Sequence, residues 1–561
     1  MSSIKFLALG GLGESGKNLY CLEVDDDIFI LDAGIKEPSQ DLYGIGEILP
    51  NLSYLKENAS RVKAIFLSHG HDEHMGAVLE LLKFLNVGVF SSHFTISLLE
   101  DMIKDAGLNL EDYRLYRINE NKTLSFGKVE VVAYFVAHSI PEALNFCFKT
   151  VDGNIYYAPD FTFDVGSNKK YHTSIDKIAS LASGNTLLVM AESIGTLNYD
   201  RVNNDTSLDY LILEALKEKQ RLIFLAYSEE LSRIQKIIDL SISKNRRVAI
   251  IGAKAQKIIS KAKETGYLEI PEERLVSLKY IDDINGKKLK HRNDDKDLVV
   301  IVTGSKHKPF YTLQRMCRGE DRLIEVTKDD HIIIMSLPNS SNERCYSIAR
   351  DEVYRVGARY TEVTRKILKS THADLEDLKL LYSMLNPKYV IPIEGSERHF
   401  YTHKEAVEET FPKTKVVILE NGQVALFSDG NFGNANQRVK VGYLTLDEIS
   451  GGINSRQIIA DREMMASDGL CSVSVVVDKE GLRLLSLPSV SFKGVGDNLD
   501  EVKDEIISCV IGEIQVQFNR HKFVDFDYMK DRIEQAISYI INNKTNKRPK
   551  VVLNFVPYYE N

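Results

Sequence analysis

The sequence predicts a multidomain α/β protein, and three observations carry that expectation. In the N-terminal third, short apolar strands end one after another in residues of metal-ligand type. From Leu208 to Tyr360, helical stretches alternate with apolar strands, the signature of a parallel α/β unit. A turn-rich stretch at 429–440 then precedes a last segment in which two amphipathic helices lie between strands. At 561 residues the chain exceeds what one core can organise, so two or three domains are expected.

Composition narrows the class. A hydrophobic content of 43% with 27% charged residues describes an ordinary globular protein. Six scattered cysteines with no CxxC pair point to a reducing compartment and away from a cysteine zinc site. Met1-Ser-Ser-Ile-Lys-Phe lacks signal-peptide anatomy and no apolar run could span a bilayer, so a cytoplasmic protein with no membrane partner is expected. The net charge of −9 argues against a uniformly basic surface, but a basic channel can sit on an acidic body.

In chain order, residues 4–9 read as a strand. Gly10-Gly-Leu-Gly-Glu-Ser-Gly-Lys17-Asn18 fits GxGxxG, and misses the P-loop pattern by Asn18 where Ser or Thr belongs. Both phosphate motifs need a helix next, whereas Leu19–Val24 and Ile28–Leu31 read as two strands. The glycines are therefore expected to make a tight turn near the centre described next. The second of those strands ends at Asp32-Ala-Gly34, where a carboxylate could orient a ligand histidine.

The central stretch is Ala64-Ile-Phe-Leu-Ser-His-Gly-His-Asp-Glu-His-Met-Gly-Ala77. An apolar strand stops at Ser68, His69, His71 and His74 follow, and Met75, Val78, Leu79, Leu81 and Leu82 resume at helical spacing. Neutral imidazole and carboxylate are the ligands of catalytic zinc and manganese. The strand at 129–136 ends at His138 and the strand at 155–158 ends at Asp160. One such residue at a strand end is ordinarily structural; three strand ends in the order His-x-His, His, Asp are far more specific.

Further on, strands are expected at 222–226, 248–252, 298–304 and 332–337, with helices at 233–243, 255–266, 312–319 and 344–357 between them. A helix at 375–385 and a strand at 389–393 lead to Glu394-Gly395. Residues 429–440 read as a linker. The remainder, with strands near 472–477 and 551–555 and helices near 499–518 and 528–542, reads as a small α+β domain suited to self-association.

With Asp32, His69-x-His71-x-Glu73-His74, His138 and Asp160 in this order, the chain resembles the metallo-β-lactamase superfamily, and its α/β insertion resembles the β-CASP domain of nucleic-acid-processing members. Glu192 matches that group's first acidic motif, Ser370-Thr371-His372 its histidine motif, and Pro392-Ile-Glu394-Gly395 its last metal-ligand motif. Across essentially the whole chain the resemblance is to bacterial ribonuclease J, closest in its departures to the second, poorly active paralogue. It implies an αββα sandwich at 1–205 and 361–428, a β-CASP domain at 206–360, a linker at 429–448 and a C-terminal α+β association domain at 449–561.

The resemblance implies a first metal site of His69, His71 and His138, with Asp160 bridging to a second made by residue 73, His74 and residue 394. The family's Asp and His at those two outer positions are Glu73 and Glu394 here. An extra methylene moves a carboxylate by roughly 1.5 Å, against a ~0.2 Å tolerance of metal–ligand bonds. Replacing imidazole by carboxylate also favours harder ions such as manganese or magnesium. His372 is implied as general acid, with Glu192 orienting it. The phosphate grip is implied to involve Leu368, Lys369, Ser370, Thr371 and His372, with Ser232, Arg233 and Ser305 from the insertion. Leu368 and Thr371 stand where the family has His and Gly, and the Glu229-Glu230 pair opposes phosphate binding.

The implied function is a Zn2+- or Mn2+-dependent RNA phosphodiesterase, 5′-to-3′ exonucleolytic with endonucleolytic capacity, acting in mRNA decay and rRNA maturation. It would be weak, and joined to an active ribonuclease J paralogue in a hetero-oligomer or to itself through the C-terminal domain. The alternative is a catalytically inactive subunit that stabilises that paralogue.

Overall fold

A computed structural model describes residues 2–38, 44–163, 170–198, 206–278, 283–284, 287–288, 295–339, 341–364, 367–368, 370–447, 452–478, 482–520 and 524–558. Chain contacts divide it into two units, residues 1–40 with 47–444 and residues 41–46 with 445–561.

The first unit is built on two sheets. Eight strands form one, in the order Asn431–Arg438, Gln423–Ser428, Ser3–Gly10, Leu19–Val24, Asp27–Leu31, Val62–Phe66, Gly88–Ser91 and Arg114–Arg117. Seven form the other, in the order Lys415–Val416, Tyr389–Ile393, Thr186–Glu192, Gly153–Ala158, Ala143–Thr150, Val129–Val136 and Thr123–Phe126. Alternate residues of both sheets meet in one apolar layer, where Phe6, Tyr20, Phe29 and Phe66 pack with Phe146, Phe148, Tyr157 and Met190. The remaining alternate residues face helices. Leu67, Val78 and Leu81 pack with Ile96 and Leu99 on one outer face, and Val189 and Val390 with Leu378, Leu381 and Tyr382 on the other. This is the αββα sandwich that the motifs imply.

The insertion is a five-stranded parallel sheet in the order Arg247–Ile251, Leu298–Gly304, Leu222–Tyr227, His331–Ile334 and Arg359–Glu362. Its strands are apolar on both faces because helices cover both, giving two clusters around Phe224 and Val300. The expected helices in this insertion form at Leu231–Ser243, Ala253–Glu264, Lys308–Cys317 and Glu343–Val356.

Residues 429–440 depart from the expected linker. Asp429 and Gly430 both take positive φ (51° and 68°) and turn the chain into a hairpin, so Asn431–Arg438 pairs with Gln423–Ser428 as an edge strand. Asp-Gly is the favoured pair for such a turn, and Phe432 and Ala435 supply enough apolar surface to hold the strand on the core.

In the second unit, Leu470–Asp478 pairs with Arg483–Leu484 and Ser489–Lys493, and with Lys550–Pro557 in parallel. Helices Asp500–Arg520 and Phe526–Thr545 bury Ile506, Val510 and Ile514, and Met529, Ile533, Ile537 and Ile541. That fourfold spacing places each set on one helix face. Among the described residues no helix is long and apolar enough to cross a membrane.

Candidate metal centre

Register brings the chemistry to one rim of the sandwich. Leu31 lies beside Phe66, Ala158 beside Ala191 and Glu192 beside Ile393, so Asp32, Ser68, Asp160, Glu192 and Glu394 all emerge where their strands end. Gly34 is needed for the approach of the first of these ends, since a Cβ there would meet the Glu73 carbonyl at 1.6 Å.

The first cluster is His69, His71, His138 and Asp160, all buried. His69 Nε2 lies 2.9 Å from His71 Nδ1, and His138 Nε2 lies 3.2 Å from that same atom. Asp160 Oδ2 is 3.4 Å from His69 Nε2 and 3.6 Å from His138 Nε2. Tetrahedral ligands held by bonds of ~2.1 Å stand ~3.4 Å apart, so these spacings fit a cation among the four atoms. The outer nitrogens are occupied. His138 Nδ1 donates to the Thr371 carbonyl at 2.7 Å, His69 Nδ1 meets the Ser68 hydroxyl at 2.9 Å, and His71 Nε2 meets the Ser139 hydroxyl at 3.2 Å. Burial, with neighbouring His74 and His71, lowers His69 to about 3. Burial also lowers His71 to about 4. These rings are thus neutral, the form that ligates a metal.

The second cluster is His74, Asp160 and Glu394. His74 Nδ1 donates to Asp32 Oδ2 at 2.7 Å, which leaves Nε2 facing Asp160 Oδ2 at 3.2 Å and Glu394 Oε2 at 3.9 Å. Asp32 has no exposed surface and accepts two further bonds from Ser68 and one from Tyr157. Glu394 is fully buried, and neither carboxylate oxygen has a hydrogen-bond partner. Burial, and Asp160 close by, push its carboxyl well above the usual range. Burial works to lower His74, but Glu394 and Asp32 outweigh it and hold the ring well above its ordinary value, so a divalent cation here would take the place of the Nε2 proton beside two orphaned buried oxygens.

A third group links these to the substrate side. His372 Nδ1 sits 2.8 Å from Asp160 Oδ1 and 2.9 Å from Glu192 Oε2. Glu192 Oε1 accepts from the Phe161 and Ala373 amides, tying the loops that carry Asp160 and His372. Burial raises Glu192 to about 7, against the pull of His372. Burial works to lower His372, but Asp160 and Glu192 outweigh it and hold the imidazole well above its ordinary value.

Three implied site residues lie elsewhere or outside view. Glu73 is exposed and belongs to none of the three ligand sets found among the described residues. At the turn Asp72–Met75, His71 and His74 lie three residues apart and share the inward face, and Glu73 stands off that face while still feeling the charges of His74 and Asp160. Leu368 is packed in the β-CASP core beside Val363 and Met335, away from any polar ligand role. Lys369 lies outside the described residues. Ser370 hydrogen-bonds the His372 backbone, and the Thr371 carbonyl holds His138. In the insertion, the Ser232 amide donates to the Ser139 carbonyl at 3.2 Å, Arg233 pairs with Glu230, and Ser305 is buried with its hydroxyl unpartnered.

Sequence reasoning missed Asn18 as a site residue. Its side-chain amide lies 3.2 Å from His74 Nε2, and Tyr20 donates to its carbonyl oxygen at 3.1 Å. The signal was present, since Asn18 was the residue that spoiled the P-loop pattern. The same glycine loop supports Glu394, whose amide donates to the Gly11 carbonyl while that of Gly395 donates to Glu14.

Comparison with known proteins places these clusters in context. Residues 12–175 match the metallo-beta-lactamase superfamily and residues 219–350 the "Ribonuclease J, beta-CASP domain". Residues 363–419 match the "Zn-dependent metallo-hydrolase RNA specificity domain" and residues 457–556 the "Ribonuclease J C-terminal domain". The chain is 30% identical over 557 residues to "Ribonuclease J2" of Bacillus subtilis, covering 98% of each. It is 28% identical to "Ribonuclease J 2" of Streptococcus pyogenes, covering 98% of this chain and 99% of that one. A crystal structure of a protein of unknown function from Enterococcus faecalis shares the fold at a TM-score of 0.52 and 15% identity, covering 76% of this chain and all of that one.

Proposed function

This chain belongs to the ribonuclease J family, and on that premise we propose that it is a metal-dependent RNA phosphodiesterase of low activity. It would digest RNA 5′ to 3′ with endonucleolytic capacity, and serve mRNA decay and rRNA maturation in the cytoplasm beside an active paralogue. The single observation that carries this reading is the convergence of His69, His71, His138 and Asp160 within 3.6 Å contacts, one carboxylate away from His372.

His69, His71, His138 and Asp160 would hold one Zn2+ or Mn2+ ion, and His74, Asp160 and Glu394 a second. When bound, such ions acidify water and offset charge developing on a phosphate. The chain's own residues do the positioning. Asp32 fixes the His74 tautomer. Asp160 and Glu192 grip His372 at Nδ1, so that Nε2 is the atom left to pass a proton to the leaving oxygen. Self-association, or association with the paralogue, is assigned to the C-terminal unit.

A second reading, a catalytically inactive subunit that stabilises the paralogue, is favoured by Glu73 standing outside the ligand sets and Leu368 lying in the core. Metal content by mass spectrometry after dialysis with Zn2+ or Mn2+ separates the two. At least one ion per chain, with slow hydrolysis of 5′-monophosphorylated RNA that falls ~10²–10⁴-fold in His372→Ala, supports the enzyme. Near-zero occupancy leaves only the subunit. The double variant Glu73→Asp, Glu394→His tests whether the outer positions limit the rate.

A further inference from the structure

The helix Leu231–Ser243 starts against the metal centre, because its Ser232 amide bonds the carbonyl of Ser139, whose hydroxyl meets His71. Glu230 is the residue before that helix, and its carboxylate makes none of the capping bonds open to it. It reaches forward to Arg233 Nη1, which otherwise donates only weakly to the Met335 carbonyl at 3.3 Å. The other Glu230 oxygen is buried and has no partner. The pair is 11% and 20% exposed on its two side chains, so its attraction is screened less than that of a surface pair.

The surroundings are those of an anion site with its occupant supplied from within. Parallel sheets bind ligands beyond the carboxyl ends of their strands, and Arg233 stands at that edge of the insertion. There, Thr303 and Ser305 close the strand on one side of Leu222–Tyr227, Ser336 follows the strand on its other side, and all three hydroxyls are buried without a partner. Hydroxyls and a guanidinium fork are the groups that hold a phosphate. A carboxylate and a phosphate present the same kind of oxygen to Arg, and only one can take the fork.

Resting on the RNA reading above, we propose that Glu230 occupies the place of a substrate phosphate on Arg233, and so sets how weakly this chain takes anionic substrate. An incoming phosphate must displace a tethered carboxylate whose effective concentration is high. The residue thereby acts as a specificity determinant in binding, separate from the metal ligands.

The test is equilibrium binding of a labelled single-stranded RNA by fluorescence anisotropy, in chelator so that no hydrolysis occurs. Wild type, Glu230→Gln and Glu230→Gln with Arg233→Gln are compared, with inorganic phosphate binding measured by calorimetry. Thermal melts verify that each variant is folded. The expected result is about tenfold tighter RNA binding in Glu230→Gln, a salt slope steeper by ~0.7, and loss of both gains in the double variant. Equal affinity in wild type and Glu230→Gln, or a gain that persists without Arg233, overturns the mask while RNA binding stands. If neither protein binds RNA yet Glu230→Gln takes phosphate, the mask holds and the RNA reading fails. No binding of either probe overturns both.

Discussion

Asp32→Asn is the sharpest test of how the centre is held. The carboxylate receives the Ser68 amide at 2.6 Å on Oδ1, and on Oδ2 the Ser68 hydroxyl at 2.8 Å, the Tyr157 hydroxyl at 2.6 Å and His74 Nδ1 at 2.7 Å. An asparagine keeps the shape but has one acceptor oxygen. Its least costly orientation keeps that oxygen toward Oδ2 and turns the amide against the Ser68 N–H, donor against donor, so that the Ser68 N–H and the new amide both lack an acceptor there, at ~1–3 kcal/mol. Loss of charge weakens the three remaining bonds, which brings the expected total to ~2–4 kcal/mol. The backbone adds little, because Asp32 sits at a φ of 59°, a region asparagine also tolerates. His74 also loses the anion that fixes its ring, so cation affinity at the second cluster should fall ~10–100-fold. Urea unfolding of the metal-free chain reads the first quantity, and Mn2+ titration followed by electron paramagnetic resonance reads the second. A stability change under ~0.5 kcal/mol with unchanged Mn2+ binding would refute the reasoning.

Three further outcomes are expected. Tyr157→Phe removes a single donor from the same carboxylate and should cost ~1–2 kcal/mol in urea, less than Asp32→Asn. His403 is buried between Tyr382 and Ser193, and burial lowers it from 6.5 to about 3. Its neutral form adds full stability above the unfolded-state value, and that stability drains as pH falls from 6.5 toward 3, because only the unfolded chain takes the proton there. The advantage of wild type over His403→Gln should therefore shrink by ~2 kcal/mol between about pH 6.5 and about pH 5; a constant difference would contradict this. Leu368→Ala should lower stability by ~2–4 kcal/mol through the cavity it leaves in the insertion core, whereas a side chain that only touched substrate would alter RNA binding and leave the unfolding midpoint in place.

Legibility in the sequence followed the range of the interaction that decides each feature. The strand ends at Ser68, His138 and Asp160, the alternation across the insertion and the paired helices of the last unit were readable, because apolar period and turn chemistry act over a few residues. The clustering of His69, His71 and His74 likewise marked them as metal-ligand candidates from the sequence alone. The edge strand Asn431–Arg438 was missed although Asp429-Gly430 signalled a hairpin, since its sparse apolar residues matter only once a sheet edge is there to receive them.

Composition and local pattern by themselves determined that this chain is α/β, in more than one domain, with imidazoles and carboxylates gathered at strand tips. Tertiary structure decided what each side chain met: Leu368 a core, Asn18 the His74 ring, His138 the Thr371 carbonyl. The physical reason is that a residue's class and period are properties of its neighbours in the chain, whereas its direction and partner depend on surfaces brought up from far along the chain.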